Sequence, residues 1–147
     1  MTRTFTYPAR LEPGDEGAIV VTFPDVPEAI TEGDTRAEAL AQGADALGLA
    51  LLVYLRQGLP LPVPGDVSGD AVAVSVEPDV AAKLAVLEAF QASGLTKAEL
   101  ARRLDRDEKE VRRILDPMHP TKLPALKAAL AALGLRMVLS VETLAAA

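Results

Sequence analysis

The chain lacks cysteine altogether and contains a single histidine among its 147 residues. Without cysteine there can be no disulfide, no thiolate zinc site and no cysteine nucleophile. The one histidine, His119, stands between Met118 and Pro120, with no carboxylate at a metal-ligand spacing beside it. A glycine-rich phosphate loop, a nucleophile elbow and a metal-binding triplet are missing too. We therefore expect no catalytic residue, no metal and no cofactor.

Targeting signals are also scarce. The N-terminal residues MTRTFTYPAR contain no basic region followed by an apolar run, and no uninterrupted run of about 18 apolar residues follows. The sequence predicts a cytoplasmic protein that does not enter a membrane.

Charge is present but divided unevenly. Residues 1–79 carry 4 basic and 13 acidic side chains, a net charge of −9, whereas residues 80–147 carry 11 basic and 8 acidic side chains, a net charge of +3. Phosphate binding requires clustered lysine and arginine, which only the second half offers. The two halves are therefore expected to meet different partners.

The first half has the pattern of a small β-β-β-α-β domain over residues 1–77. Alternation in TFTYPARL, a glycine turn at residues 14–17 and the run AIVVTF predict a hairpin, and residues 29–32 predict a third strand. Thr35 and Glu38 form a capping-box pattern for a helix that ends at Gly58. Its predicted apolar face contains Ala37, Leu40, Ala44, Leu47, Leu51 and Leu55.

Two further features complete this domain. Gly43 and Gly48 inside the helix suggest close packing on a neighbouring strand or subunit, because glycine disfavours a helix interior. After a connector rich in proline and glycine at residues 58–69, DAVAVSV predicts a strand that returns to the sheet. The whole chain is then of the α+β class.

The second half, residues 78–147, predicts an all-α helix-turn-helix domain with a C-terminal strand. Four helices are expected, of which the second is capped by Thr96 and the third by Asp107. The fourth spans roughly residues 121–133 and has leucines on one side: Leu123, Leu126, Leu130 and Leu133. RMVLSVE alternates and predicts a final strand, paired with a second subunit or with the first sheet.

The second and third of these helices, separated by about three residues, have the spacing of a helix-turn-helix whose second member enters the major groove. The residues predicted to bind DNA lie on both helices of this helix-turn-helix and on the segment that follows. They are Thr96, Lys97, Arg102, Arg103, Lys109, Glu110, Arg112, Arg113 and Lys122. Thr96 and Lys97 lie at a helix N-terminus, which is suited to binding phosphate. Glu110 is compatible with base recognition, because a glutamate can accept a hydrogen bond from the N4 amino group of cytosine. The alternative is that these charges form a solvated helix face, which Glu108 and Glu110 favour by repelling phosphate.

These residues resemble a known family. Residues 7–64 are similar to the N-terminal domain of HicB antitoxins, with its strand, acidic turn, proline corner, helix start and proline-rich exit. The matching positions include Phe23, Pro24, Asp25, Pro27, Gly33, Asp34 and Thr35. Residues 96–142 are similar to the Xre-like helix-turn-helix that one branch of the family carries. In this chain Asp105 replaces the usual turn glycine, and aspartate tolerates the left-handed conformation better than most residues.

The resemblance implies a partial ribonuclease-H-like fold without its catalytic carboxylates and a HicA-like toxin partner that cleaves mRNA. It further implies oligomerisation, as a homodimer or tetramer, through the DNA-binding half, and repression of the chain's own operon. On this interpretation the chain is an antitoxin of a type II toxin-antitoxin system and not an enzyme.

Two other functions are compatible with the residues. One is a stand-alone helix-turn-helix transcription regulator whose first domain senses a small ligand. The other is a nuclease that uses clustered carboxylates with magnesium, drawn from the first domain's turns: Asp15, Glu16, Asp25, Glu28, Glu32 and Asp34.

Overall fold

In the computed structural model, which describes residues 2–144, the first half of the chain contains a sheet of four antiparallel strands, the last of which follows helix α1 (Arg36–Arg56). They are β1 (Thr6–Pro13), β2 (Ile19–Thr22), β3 (Ile30–Gly33) and β4 (Val72–Ser75). Their order across the sheet is β3-β2-β1-β4, so the hairpin strand β1 lies at the centre and receives β4 on its free side. The predicted three strands followed by a returning strand are confirmed.

The register of the sheet places apolar side chains on one face. Tyr7 lies opposite Val74, and Leu11 lies opposite Val21. Tyr7, Val21 and Val74 are buried, and the Tyr7 hydroxyl donates a 2.6 Å hydrogen bond to the Pro62 carbonyl. A buried phenol is thus paired, as it must be to avoid a desolvation cost, and it ties the proline-rich connector to the sheet.

Helix α1 (Arg36–Arg56) follows strand β3. The predicted cap is confirmed, because the Thr35 Oγ1 accepts a 3.1 Å hydrogen bond from the Glu38 N–H. Gly43 faces β2 so closely that a Cβ there would lie 3.1 Å from Val21 Cγ1, which explains the glycine by close packing. The apolar face differs from prediction at its start, since Ala37 is exposed and Ala39 is buried instead.

By length and composition alone α1 would also be long and apolar enough to cross a membrane. The helix nevertheless carries Asp45 near its middle, and it buries Ala39, Ala44, Leu47 and Leu51 within the chain. A core helix of 21 residues meets the same two criteria, so the burial of this face identifies α1 as a core helix.

Four helices follow the sheet, as predicted: α2 (Pro78–Ser93), α3 (Lys97–Leu104), α4 (Glu108–Ile114) and α5 (Leu123–Ala132). Gly94 and Gly134 take φ values of 72° and 82° after α2 and α5, the left-handed conformation expected where helices stop. The core of this region consists mainly of Leu84, Val86, Leu100, Val111, Ile114, Leu126 and Leu130. The prediction for Leu123 was wrong, because it is 54% exposed in the first turn of α5.

The predicted C-terminal strand is absent from the described residues. Residues 135–144 carry no regular secondary structure. Apart from the half-buried Met137, their large apolar side chains are open to solvent, with Val138 74% and Val141 89% exposed. A strand requires a neighbouring backbone for its hydrogen bonds, and the single chain pairs none with this segment. The alternating pattern was therefore not sufficient to form a strand in one copy.

Contacts divide the chain into two compact units. The first unit contains residues up to Leu51 together with Leu61–Glu77, and the second contains Leu52–Pro60 together with Pro78–Thr143. The sheet thus belongs to the first unit and helices α2 to α5 to the second. The α+β class is confirmed. The assignment of residues 1–77 and 78–147 to separate functional domains stays a prediction, and the last three residues lie outside those described.

Candidate nucleic-acid interface

Helices α3 and α4 are joined by a three-residue turn whose ends are both capped. The Thr96 Oγ1 accepts the Glu99 N–H at 3.1 Å before α3, and the Asp107 Oδ1 accepts the Glu110 N–H at 2.8 Å before α4. These are the two caps that the spacing predicted. Because the connection is short, α3 and α4 must stay close together, and they pack against each other.

The turn itself depends on Asp105. This residue adopts the left-handed conformation, with φ 52° and ψ 47°. The backbone N–H of the next residue, Arg106, donates a 3.1 Å hydrogen bond to the Ala101 carbonyl. This is the hydrogen-bonding pattern that usually requires glycine after a helix. Aspartate therefore takes over the geometry of the missing glycine, at a modest conformational cost.

Helix α4 presents its charged side outward. Val111 and Ile114 are buried, while Lys109, Arg112 and Arg113 are exposed. Successive helical residues are about 100° apart, so two inward anchors three positions apart leave the remaining residues on the outer side. The arginines of α4 are therefore accessible to a partner.

All nine predicted DNA-binding residues belong to the second unit and are exposed. They lie at the start and end of α3, along α4 and before α5. Lys122 is the N-cap residue of α5, without a side-chain cap bond. Arg103 differs from the others, because its Nη1 donates a 3.2 Å hydrogen bond to the Ala132 carbonyl at the end of α5. This contact gives Arg103 a structural role in the packing of α3 and α5.

The glutamates of α4 pair with arginines. Arg112 Nη2 lies 3.6 Å from Glu108 Oε1, and Arg106 Nη1 lies 3.6 Å from Glu110 Oε2. Both pairs span one helical turn at the surface, where such pairs stabilise a helix by only about 0.3–0.5 kcal/mol. A phosphate can therefore replace either glutamate as the arginine's partner at little cost.

Sequence reasoning missed Lys83 of α2, which is only 4% exposed. Its Nζ donates to the carbonyl oxygens of Ile114 at 2.8 Å, Asp116 at 3.1 Å and Arg113 at 3.3 Å, and to Thr121 Oγ1 at 2.6 Å. Lys83 thus contacts the end of α4 and the loop that follows. A helical wheel centred on Val80, Leu84 and Leu87 would have placed it within about 60° of the apolar face.

Burial lowers the pKa of Lys83 from its usual 10.5 to about 8, and the nearby Asp116 carboxylate acts in the opposite direction. Desolvation disfavours the ammonium form, while the adjacent negative charge favours it. Lys83 is consequently the group of α2 whose charge can change just above neutral pH.

The first unit has a different surface chemistry. Its turns carry carboxylates, but the Asp25 Oδ2 is used structurally and accepts a 2.9 Å hydrogen bond from the Gly65 N–H of the connector. A groove of about 510 Å³ lies beside β1 and includes Arg10, Glu12, Asp25, Asp66 and Asp70 in its lining. Across residues 2–144, no three histidine, aspartate or glutamate side chains converge as a metal-binding group.

Comparison with known proteins gives the family. Residues 6–85 match the HicB-like antitoxins of bacterial toxin-antitoxin systems. The chain is 43% identical to the antitoxin HicB 1 of Photorhabdus laumondii over 140 residues, which cover 95% of this chain and 89% of the relative. It is 38% identical to the antitoxin HicB of Escherichia coli K12 over 128 residues, which cover 87% and 93% respectively.

These relatives are named as antitoxins, and an antitoxin implies a toxin as partner. The similarity to the Photorhabdus laumondii antitoxin covers 95% of this chain and therefore includes the sheet, the connector and the α3–α4 region. Together with the confirmed α+β order of elements, this similarity shows that the chain belongs to the HicB-like antitoxin family of bacterial toxin-antitoxin systems.

Proposed function

We propose that the chain neutralises a small HicA-like, mRNA-cleaving toxin in the cytoplasm with its first unit and represses its own operon with its second. The observation that carries this proposal is the outward-facing α4, whose Arg112 and Arg113 are exposed beside a buried Val111 and Ile114. Accessible basic side chains on this helix, in a chain of net charge −6, favour a separate, negatively charged partner.

The toxin is expected to dock on the acidic half. A protein that cleaves RNA presents basic surface to phosphates, and residues 1–79 carry a net charge of −9. Opposite charges accelerate association and select the partner, whereas buried apolar contacts supply most of the affinity. Ile30 on the edge strand β3 is 63% exposed and offers one such contact next to Glu32.

The operator is expected to be bound by the nine exposed residues around α3 and α4. In this arrangement α4 lies in the major groove, its basic side chains approach phosphates or guanine edges, and Thr96 and Lys97 meet the backbone. Glu108 and Glu110 then exchange their arginine partners for DNA or solvent. The resulting affinity should fall steeply with salt, because each phosphate contact releases counterions.

A second copy of the chain is expected to complete the repressor as a homodimer or tetramer. The exposed alternating segment at residues 135–144 supplies a natural strand edge for pairing across a two-fold axis. The Leu139→Asp substitution, on the apolar face of the segment, should then shift the oligomer towards monomer in light scattering, whereas Ser140→Asp on the opposite, polar face should not. Equal masses for wild type and Leu139→Asp would exclude this edge as the interface.

The most direct test of the antitoxin pairing is co-expression with the product of the neighbouring reading frame. We expect a small basic protein that arrests growth alone and becomes harmless and co-purifies when the full chain is present. Absence of a toxic neighbour, or toxicity that the chain does not relieve, would reject the toxin assignment. Melting of the purified chain with small ligands examines the alternative of a ligand sensor, for which the groove beside β1 is the candidate site.

A further inference from the structure

Lys83 occupies an unusual place in the second unit. Its side chain is buried, and its ammonium nitrogen meets four oxygen atoms within 3.3 Å. Three are backbone carbonyls, of Arg113, Ile114 and Asp116, and the fourth is the Thr121 hydroxyl. An ammonium group has three protons, so these acceptors occupy its whole bonding capacity.

Helix α4 needs support at this end because it contains only seven residues. Its start is fixed locally by the Asp107 cap. The last carbonyls of any helix lack intrahelical donors and carry the negative end of the helix dipole. Lys83 supplies both a donor and a positive charge to the carbonyls of Arg113 and Ile114, from a residue 30 positions earlier in the chain.

A buried lysine is less favourable than an apolar residue if its role is only to fill the core. Burying its charge costs free energy, and an apolar side chain of similar volume would avoid that cost. The ammonium contributes directional hydrogen bonds, which hold the end of α4, the following loop and Thr121 at fixed distances from one nitrogen. Arg113, a proposed DNA contact, has its own carbonyl among these acceptors.

We propose that Lys83 is a positioning residue for the DNA-reading helix: its buried ammonium fixes the C-terminal end of α4, and loss of that charge weakens operator binding. This inference rests on the proposed operator binding of the second unit. Deprotonation removes the positive charge and one of the three N–H donors, so fewer of the four contacts that join α4, its following loop and Thr121 can be kept.

Few charges surround Lys83. The loop after α4 contributes Asp116, which favours the ammonium. Helix α4 contributes Arg113, whose side chain is exposed, and α5 contributes Lys127, which is also exposed. The other acceptor, Thr121, is neutral. Between pH 7.2 and 9, Lys83 is therefore the buried group in this region whose protonation is expected to change, since its pKa is about 8.

The experiment measures binding of the full chain to a duplex carrying the promoter of its own operon. At pH 7.2 we expect Lys83→Met to bind at least tenfold more weakly than wild type. The matched control Lys127→Met removes an exposed lysine charge from α5 and should stay within about twofold, as one peripheral charge does. Circular dichroism establishes that each variant is folded.

Two further measurements keep the test decisive if Lys83→Met is poorly folded. Thr121→Val removes one acceptor and should weaken binding several-fold, whereas Thr121→Ser retains the hydroxyl and should restore it. In addition, wild-type affinity should fall about fivefold between pH 7.2 and 9, as the charged fraction of a group with a pKa near 8 declines.

The outcomes separate the two proposals. If wild type does not bind its promoter under any condition, the repressor function fails and this inference fails with it. If wild type binds and folded Lys83→Met binds equally well, or if wild-type affinity is unchanged from pH 7.2 to 9, only the positioning role is overturned.

Discussion

The two units use charge in different ways. In the first unit carboxylates are concentrated in turns, and the buried structure consists of a sheet covered by α1 at close-packed glycines such as Gly43. In the second unit polar side chains hydrogen-bond to the ends of the helices. Thr96 and Asp107 cap the N-termini of α3 and α4. Lys83 and Arg103 donate to carbonyls at the C-termini of α4 and α5.

This difference indicates how each unit can change. Apart from Asp25, which bonds the connector, surface carboxylates in the first unit can vary with the partner without altering what holds the sheet together. In the second unit several charges are part of the scaffold that presents α4, so stability and recognition are linked there. Substitutions that separate packing from charge should therefore act differently in the two units.

The largest effects are expected in the cores, where the units should behave alike. Leu47 of α1 and Leu100 of α3 are both fully buried. Replacing either by alanine should lower the free energy of unfolding by about 2–5 kcal/mol, from lost transfer energy and the cavity left behind. Urea titration measures this loss. The control Leu49→Ala, at a position 57% exposed in α1, should change stability far less, and an equal loss there would contradict the assigned face.

A smaller effect should distinguish the units by pH. The pKa of Lys83 is about 8 in the folded chain and 10.5 when unfolded, so between these values the unfolded chain binds more protons. Lys83 therefore makes the free energy of unfolding rise with pH across this window, by up to about 3 kcal/mol. In urea titrations, the free energy of unfolding of wild type minus that of Lys83→Met should therefore increase with pH across this window. Parallel pH profiles of the two proteins would contradict the lowered pKa.

Where the two pH windows overlap, between about pH 8 and 9, this rise in stability runs opposite to the expected loss of operator affinity. A residue that served only the stability of the fold would make the two properties change together. Opposite trends therefore distinguish positioning of α4 from general stabilisation.

Next in size are the helix caps. Thr35→Ala before α1 and Asp107→Ala before α4 should each cost about 0.5–2 kcal/mol of stability. Because α4 is only seven residues long, Asp107→Ala should also weaken operator binding, whereas Thr35→Ala should not. Asp107→Asn keeps a capping oxygen and serves as the control in both the melting and the binding assay; loss of binding in that variant would point to the charge instead of the cap.

The smallest effect concerns the ion pair on α4. Glu108→Gln frees Arg112 from its 3.6 Å partner and should change stability by less than about 0.5 kcal/mol. Operator affinity should rise a few-fold, since one negative charge near the phosphates is removed. Unchanged or weaker binding in a gel-shift titration would mean that Arg112 does not face DNA.

The sequence predicted what is encoded locally. The caps at Thr35, Thr96 and Asp107 depend on residues three positions apart, and the outward side of α4 follows from Val111 and Ile114 at helical spacing. The left-handed conformation of Asp105 was anticipated from the family resemblance, because a glycine usually occupies that place in the turn. These features require no knowledge of distant contacts, which is why the pattern was sufficient.

What depends on distant partners was missed. Three of the four acceptors of Lys83 are backbone carbonyls, and all four lie 30 or more residues away, so no local side-chain pattern predicts them. The alternation of residues 136–142 satisfied the pattern of a strand but not its need for a neighbouring edge. Leu123 follows the leucine spacing of α5, yet it lies in the first turn, before the helix reaches the core.

The central claim is that separate units bind the toxin and the operator. Calorimetric titration of the Arg112→Ala, Arg113→Ala double variant, with the neighbouring gene's toxin and then with the promoter duplex, examines it directly. The account predicts toxin affinity within about twofold of wild type and DNA affinity at least tenfold weaker, with a shallower salt dependence. A parallel loss of toxin binding, or DNA binding equal to wild type, would contradict it.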